Sequence, residues 1–142
     1  MNKLEYIPGD LVMTETLPNN FMPNGIVCKF VKYCDNNEVL IRAANTAINI
    51  GAERKRIVPI PIIPELLEKN GWNREKGIPF TYTKKIHKGN TKSFYTIIEY
   101  INKPGIFSIR HGRDNHFLCD VTYIHQLQHL LFGLGLNHEM EV

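Results

Sequence analysis

The sequence lacks the features that would identify a membrane protein or a secreted, disulfide-bonded protein. No run approaches the roughly 18 apolar residues that a membrane span needs, and no apolar signal region follows Met1. The three cysteines are odd in number and far from any C-x-x-C spacing, so we interpret them as reduced thiols buried in apolar strands. These absences predict a cytoplasmic protein without membrane contact.

Familiar catalytic motifs are also missing. The chain has no glycine-rich phosphate loop, no G-x-S-x-G turn and no pair of acids in a frame typical of acid–base catalysis. Its 17 lysines and arginines against 14 acids, a formal charge of +3, permit contact with nucleic acid but are not the excess of a dedicated phosphate binder. We therefore predict a non-enzymatic binding or accessory protein without a cofactor, whose partner is another protein.

The first half of the 142-residue chain shows a pattern of short strands. Residues 26–33 and 38–43 are rich in β-forming residues, and the polar residues 34–37 between them predict a hairpin. Further candidate strands lie at residues 11–16, 46–50 and 56–60. Their number and spacing suit a small SH3-like barrel, and an irregular meander is the alternative.

The second half combines helices with a β-meander. Pro64 in a first turn and Asn-Gly at the exit predict a helix over residues 64–72, with Trp72 packed at the edge of the core. Candidate strands lie at residues 78–82, 93–101, 105–111 and 116–120, followed by a helix over residues 123–134. The predicted class is α+β with mostly antiparallel strands. Residues 1–63 form the barrel-like half, and residues 64–142 form one packed unit.

The predicted helix over residues 123–134 has an apolar and a polar side. The apolar stripe consists of Tyr123, Leu127, Leu130, Leu131 and Leu134. His125 and His129 are four residues apart on the other side, near Phe132. We predict that the leucines pack on the sheet, and that His125, His129 and Phe132 contact another protein; an exposed sheet edge is the alternative contact. Asp120 or Thr122 is predicted to cap the helix.

The same two histidines allow a zinc-binding hypothesis. In the metallopeptidase pattern H-E-x-x-H both imidazoles bind the metal, and the glutamate takes a proton from bound water. Gln126 occupies the glutamate position, and an amide cannot act as a general base. The sequence therefore argues against metal catalysis, and we predict no metal ligand here, with structural zinc as an alternative.

Two groups of basic residues support a nucleic-acid alternative. Lys84, Lys85, Lys88 and Lys92, with His87, are predicted to lie in a hairpin loop, and Arg110 and Arg113 in a later one. Tyr82, Phe94 and Tyr95 lie close by in sequence. Basic side chains bind phosphates and exposed rings stack on bases, so adjacent loops of this kind suit single-stranded nucleic acid. The competing interpretation is a solvated loop, with the aromatic residues in the core.

Two motifs resemble a family of small uncharacterised proteins of Bacteroides-type bacteria and their phages. The motifs are P-I-P-I-I-P-E-L-L-E-K-N-G-W, residues 59–72, and Y-I-H-Q-L-Q-H-L-L-F, residues 123–132. The resemblance implies a protein related to a phage or prophage, in the bacterial host cytoplasm or the virion. Relatives often carry asparagine at the position of His129, which argues further against a zinc site.

Overall fold

The computed structural model describes residues 5–15, 26–43, 46–88 and 90–142, except for the side chain of Lys88. The chain divides into two compact units, Met1–Ile60 and Pro61–Val142, whereas the sequence placed the boundary after residue 63. Both units are built mainly from antiparallel strands, which confirms the predicted α+β class. No helix in the described ranges is long and apolar enough to cross a membrane.

The first unit contains a five-stranded antiparallel sheet. Its strands are β1 (Leu11–Thr14), β2 (Val27–Tyr33), β3 (Glu38–Ala43), β4 (Asn49–Glu53) and β5 (Ile57–Pro59). They are arranged in the order β4-β3-β2-β1-β5, and a 3-10 turn, Arg54–Arg56, joins β4 to β5. No pair between β4 and β5 closes the sheet within the described residues. The SH3-like barrel therefore stays a prediction.

The predicted hairpin between β2 and β3 is confirmed. Asn36 and Asn37 both have positive φ, at 61° and 59°, a conformation that asparagine adopts more readily than most residues. The Cys34 amide donates to the Glu38 carbonyl across the turn at 2.8 Å. β4 begins three residues later than predicted, because its register is set by pairing along β3, from Asn49 opposite Arg42.

A compact hydrophobic core lies on one side of the first sheet. It consists of Val12, Cys28, Phe30, Val39, Ile41, Ala52 and Ile57, with Tyr6 and Ile26 packed against it. All three cysteines are free thiols, and burial raises the pKa of Cys28. The prediction of a buried thiol is wrong for Cys34, which is exposed because it belongs to the hairpin turn.

The second unit contains a second five-stranded antiparallel sheet and the two α-helices found in the described residues. The strands are β6 (Asn73–Arg74), β7 (Thr81–Lys88), β8 (Thr91–Glu99), β9 (Phe107–His111) and β10 (His116–Val121), in the order β10-β9-β8-β7-β6. The helices are α1 (Pro64–Lys69) and α2 (Ile124–Gly133). Trp72 is buried after α1, as predicted.

The start of α2 differs from the prediction. Neither Asp120 nor Thr122 caps the helix. The Gln126 side chain does so, because its Oε1 accepts the backbone N–H of Thr122 at 2.7 Å and that of Tyr123 at 3.0 Å. The Asp120 carboxylate instead accepts the Tyr100 hydroxyl at 2.9 Å. The glutamine at the centre of the H-x-x-x-H spacing is therefore a helix-capping residue.

Candidate nucleic-acid interface

The second sheet has two chemically different faces, because successive side chains along a strand point to opposite sides. One face is buried and mostly apolar, and comprises Tyr82, Tyr95, Ile97, Phe107, Ile109 and Val121. Leu131 of α2 and Trp72 line a small groove with Lys84 and Ile86, which lie on this same face. Helix α2 therefore covers this face, and its buried residues complete the core of the second unit.

Basic and aromatic side chains share the opposite face, which we call the basic face. Its central residues are Thr83, Lys85, Lys92, Phe94, Thr96, Arg110 and Phe117. Thr83, Thr96, Arg110 and Phe117 form one row across four strands, and Lys85 pairs with Phe94 in the row beside it. Adjacent strands lie about 4.8 Å apart, so these side chains form a continuous surface.

Arg110 is held in position at the centre of the basic face. Its Nε donates to the Ser108 hydroxyl at 3.1 Å, and its Nη1 donates to the Asn115 carbonyl at 3.4 Å. The guanidinium lies 5.9 Å from the centre of the Phe117 ring, and 48% of Phe117 remains exposed. A guanidinium carries five N–H groups, so Arg110 keeps donors for an anion while both bonds are made.

Small hydroxyl residues lie beneath these larger side chains. Thr83, Thr96 and Ser108 are buried on the basic face although none of them is apolar. The Thr83 hydroxyl donates to Glu75 at 2.5 Å, and the Ser108 hydroxyl accepts from Arg110. Because these three side chains are short, the longer cationic and aromatic side chains at neighbouring positions protrude farthest from the sheet. Lys85 and Lys92 are both exposed.

Positive charge is concentrated at one end of the basic face. Lys85 and Lys92 approach the β7–β8 turn, and Arg110 approaches the β9–β10 turn, where Arg113 and Asp114 are both exposed. Two acids lie on this face: Asp120 pairs in register with Ser108 toward the other end of the sheet, and Glu75 lies beside β7, where it accepts the Thr83 hydroxyl. An anionic ligand would therefore bind at the end of the sheet that carries these two turns.

The structure brings together only some of the predicted nucleic-acid residues. Lys85, Lys92 and Arg110 share the basic face. Lys84 lies on the covered face, where its Nζ donates to the Asn70 carbonyl at 2.7 Å and burial lowers its pKa. Arg113 is exposed in the β9–β10 turn, and the Lys88 side chain is outside the described residues.

The loop predicted around Lys84 is wrong, because β7 continues through Lys88 and β8 begins at Thr91. A run rich in lysine resembles a loop, but a strand with one exposed face also accepts basic residues at alternate positions. Tyr82 and Tyr95 belong to the core, whereas Phe117 joins the basic face and was missed. The alternation of inward and outward residues along β7 is the sequence signal that would have placed these lysines on a strand.

A groove of about 520 Å³ lies at the end of the second sheet where β7 begins. Arg74 Nη2 donates to the Tyr82 hydroxyl at 3.1 Å, and the Arg74 guanidinium lies over the Tyr82 ring. The hydrogen bond to Tyr82 is the main cause of the raised Arg74 pKa. Glu75 accepts the Thr83 hydroxyl, and Glu99 accepts a backbone amide at 2.9 Å. The polar groups of this groove are thus engaged within the fold.

The predicted protein-contact residues of α2 have unequal exposure. His125 is only 2% exposed, so the prediction that it lies on an exposed helix face is wrong. Its ring stacks on Tyr123, with centroids 5.9 Å apart, and His129 meets it edge-on at 5.5 Å. His129 is half-buried, whereas 60% of Phe132 is exposed and its ring touches that of His138.

The residues after α2 fold back onto the helix. The Leu136 amide donates to the Leu131 carbonyl at 2.8 Å, and Gln128 Nε2 donates to the His138 carbonyl at 3.2 Å. The chain therefore turns back along the helix after Gly133. Within the described ranges, no group of three or more His, Cys, Asp or Glu side chains is arranged to hold a metal ion.

Replacing His125 with alanine is expected to lower the free energy of unfolding by about 1 to 3 kcal/mol, because it removes a buried ring packed on Tyr123. The matched change His129→Ala should cost less, since His129 is half-buried. Thermal melts of both variants, each with and without added zinc, measure the two effects. Added zinc is expected to leave all melting temperatures unchanged. A rise in the wild type that is absent from both variants would support the zinc alternative.

Comparison of the chain with protein families, with curated proteins and with solved structures finds no match.

Proposed function

We propose that the chain is a non-enzymatic binding protein whose basic face contacts single-stranded nucleic acid. The observation that carries the proposal is the convergence of Lys85, Lys92 and Arg110 with Phe94 and Phe117 on one side of the second sheet. Sequence order separates these residues by up to 32 positions, and strand pairing brings them together.

Two physical effects would act at the basic face. The three cations would neutralise phosphates and release their counterions, which makes the affinity depend on salt concentration. The exposed Phe117 ring offers a surface for base stacking, which is worth about 1 to 3 kcal/mol per base and depends little on sequence. Arg110 lies against the same ring, so phosphate contact and stacking would occur at adjacent points.

Single substitutions separate these effects. Arg110→Ala is expected to make the negative slope of log affinity against log salt concentration shallower by about 0.7. This is the value for one phosphate contact with a single strand. Phe117→Ala is expected to weaken binding by about 1 to 3 kcal/mol with the slope unchanged. Fluorescence anisotropy with a labelled single-stranded oligonucleotide measures both quantities. Lys29→Ala, at an exposed lysine of β2, is the matched control and should leave both unchanged. Equal effects of Lys29→Ala and Arg110→Ala would contradict a specific surface.

A second candidate function is contact with another protein. The observation that favours it is the outer edge of β4, where Ile48 and Ile50 are exposed beside an edge strand. Phe132 of α2 adds a separate exposed ring, and His129 lies half-buried on the same helix. We extend the proposal to a phage- or prophage-related protein of the bacterial host cytoplasm or virion. The resemblance of the two motifs at residues 59–72 and 123–132 supports this extension.

A further inference from the structure

An open niche lies on the basic face above Gly112, just beyond the end of β9. The Gly112 amide donates to the Phe94 carbonyl at 2.7 Å, so Gly112 lies opposite Phe94, in the row beside Arg110. Apart from its chain neighbours, no atom of the described residues lies within 4 Å of the point where a side chain at residue 112 would begin. An aromatic side chain on a neighbouring strand can cover a glycine of this kind, but Phe94 stays outside that distance. We call this open space the Gly112 niche.

A ring and two cations border the Gly112 niche. Phe94 is half-buried on one side of it, and the exposed Lys85 lies opposite Phe94 on β7. On the other side, Arg110 Nη1 donates to the Asn115 carbonyl at 3.4 Å, and the Asn115 amide donates to the Gly112 carbonyl at 3.2 Å. The Arg110 guanidinium therefore reaches the turn that begins at Gly112. This arrangement suits a flat, uncharged group against the Phe94 ring, with anionic groups beside it.

Phe94 and Phe117 are spaced for two separate bases. They lie on β8 and β10, with Arg110 on the strand between them, and their positions differ by two residues along the strands. Strand geometry therefore puts their Cα atoms about 12 Å apart. Aromatic faces in contact lie about 3.5 to 4 Å apart, so one base sandwiched between two rings requires a separation of about 7 to 8 Å. Each ring therefore suits a base of its own, with the guanidinium between the two bases.

We infer that the basic face binds two neighbouring bases of a single strand in an unstacked arrangement. One base lies in the Gly112 niche against Phe94, the next stacks on Phe117, and the phosphate between them binds Arg110. The inference rests on the proposed function and narrows its ligand to a step of the strand that is opened out. A duplex keeps neighbouring bases stacked about 3.4 Å apart along each strand, so it cannot place them on these two rings.

Two single variants remove the niche in different ways. Phe94→Leu keeps an apolar side chain at the half-buried position but has no ring for a base to stack on. Gly112→Asn fills the niche with a side chain, and asparagine adopts a positive φ, here 78°, more readily than most residues. Gly105→Asn is the matched control, because Gly105 has a φ of 89° and open space around it in the turn between β8 and β9. Circular dichroism checks that each variant is folded.

Fluorescence anisotropy with a labelled oligothymidylate provides the readout. Phe94→Leu and Gly112→Asn should each weaken binding by roughly 5- to 150-fold, the loss that corresponds to one stacked base. The slope of log affinity against log salt concentration should stay at the wild-type value in both variants, because neither removes a cation. Gly105→Asn should bind like the wild type.

The double variant Phe94→Leu, Phe117→Ala tests whether the two rings hold different bases. Independent bases predict that its loss of affinity equals the product of the two single losses, to within about twofold. A double variant that binds no more weakly than Phe117→Ala alone overturns the inference, as do wild-type affinities in both Phe94→Leu and Gly112→Asn. In these cases the loss in Phe117→Ala still supports the proposed function. A wild type that binds no oligonucleotide overturns the proposed function and the inference together.

Discussion

Replacing Phe30 with alanine is expected to lower the free energy of unfolding of the first unit by about 3 to 5 kcal/mol. Phe30 is 2% exposed in the centre of the first core, with its ring 5.7 Å from that of Tyr6 and 4.7 Å from that of Tyr33. Alanine would remove these contacts and leave a cavity bordered by β-strands. The free energy of unfolding of a typical domain is only about 5 to 15 kcal/mol, so the loss is a large fraction of the total.

Urea denaturation followed by far-ultraviolet circular dichroism measures the effect of Phe30→Ala. Ile7→Ala is the matched control in the same unit, because Ile7 is 41% exposed. It should change the free energy of unfolding by at most about 0.5 kcal/mol. Similar losses in the two variants would show that Phe30 does not have the central position described.

Replacing Leu127 with alanine is expected to cost about 2 to 5 kcal/mol in the second unit. Leu127 is fully buried in the middle of α2, on the side that covers the sheet. Its loss would remove apolar contacts where the helix and the strands form a common core. The basic face depends on this packing, because the same strands carry buried residues on one side and cations on the other.

Tryptophan fluorescence measures the Leu127 effect selectively, because the single tryptophan, Trp72, belongs to the second unit. Phe132→Ala is the matched control on the same helix, since Phe132 is 60% exposed. The control should lower the urea midpoint only slightly, whereas Leu127→Ala should lower it strongly. The dependence of the unfolding free energy on urea concentration should be the same in both variants. Equal shifts would contradict the orientation of α2.

Strong periodic patterns were sufficient to predict several elements. The hairpin of β2 and β3 followed from two β-rich runs around a polar turn, and α2 from the leucine spacing. β7 was harder, because Lys84, Lys85 and Lys88 look like loop residues when only composition is considered. Their alternation with Thr83 and Ile86 fits a strand that is covered on one side and open on the other.

Contacts between distant residues explain the remaining errors. His125 appeared exposed because a helical projection shows only the helix itself. The return of residues 134–138 along α2 brings His138 against Gln128 and Phe132, on the side that the projection assigned to solvent. The H-x-x-x-H spacing marks Gln126 only as a replacement for a catalytic glutamate, whereas its capping role depends on its bonds to the backbone amides of Thr122 and Tyr123. Phe117 joined the basic face through strand pairing with Arg110.

The most direct test of the central proposal is the salt dependence of oligonucleotide affinity in the triple variant Lys85→Ala, Lys92→Ala, Arg110→Ala. Three phosphate contacts predict a slope of about −2 for the wild type, or about a twentyfold loss of affinity between 50 and 200 mM salt. The triple variant, if folded by circular dichroism, should bind weakly at low salt with a slope near zero. No binding by the wild type at low salt, or unchanged affinity and slope in the triple variant, would contradict the proposal.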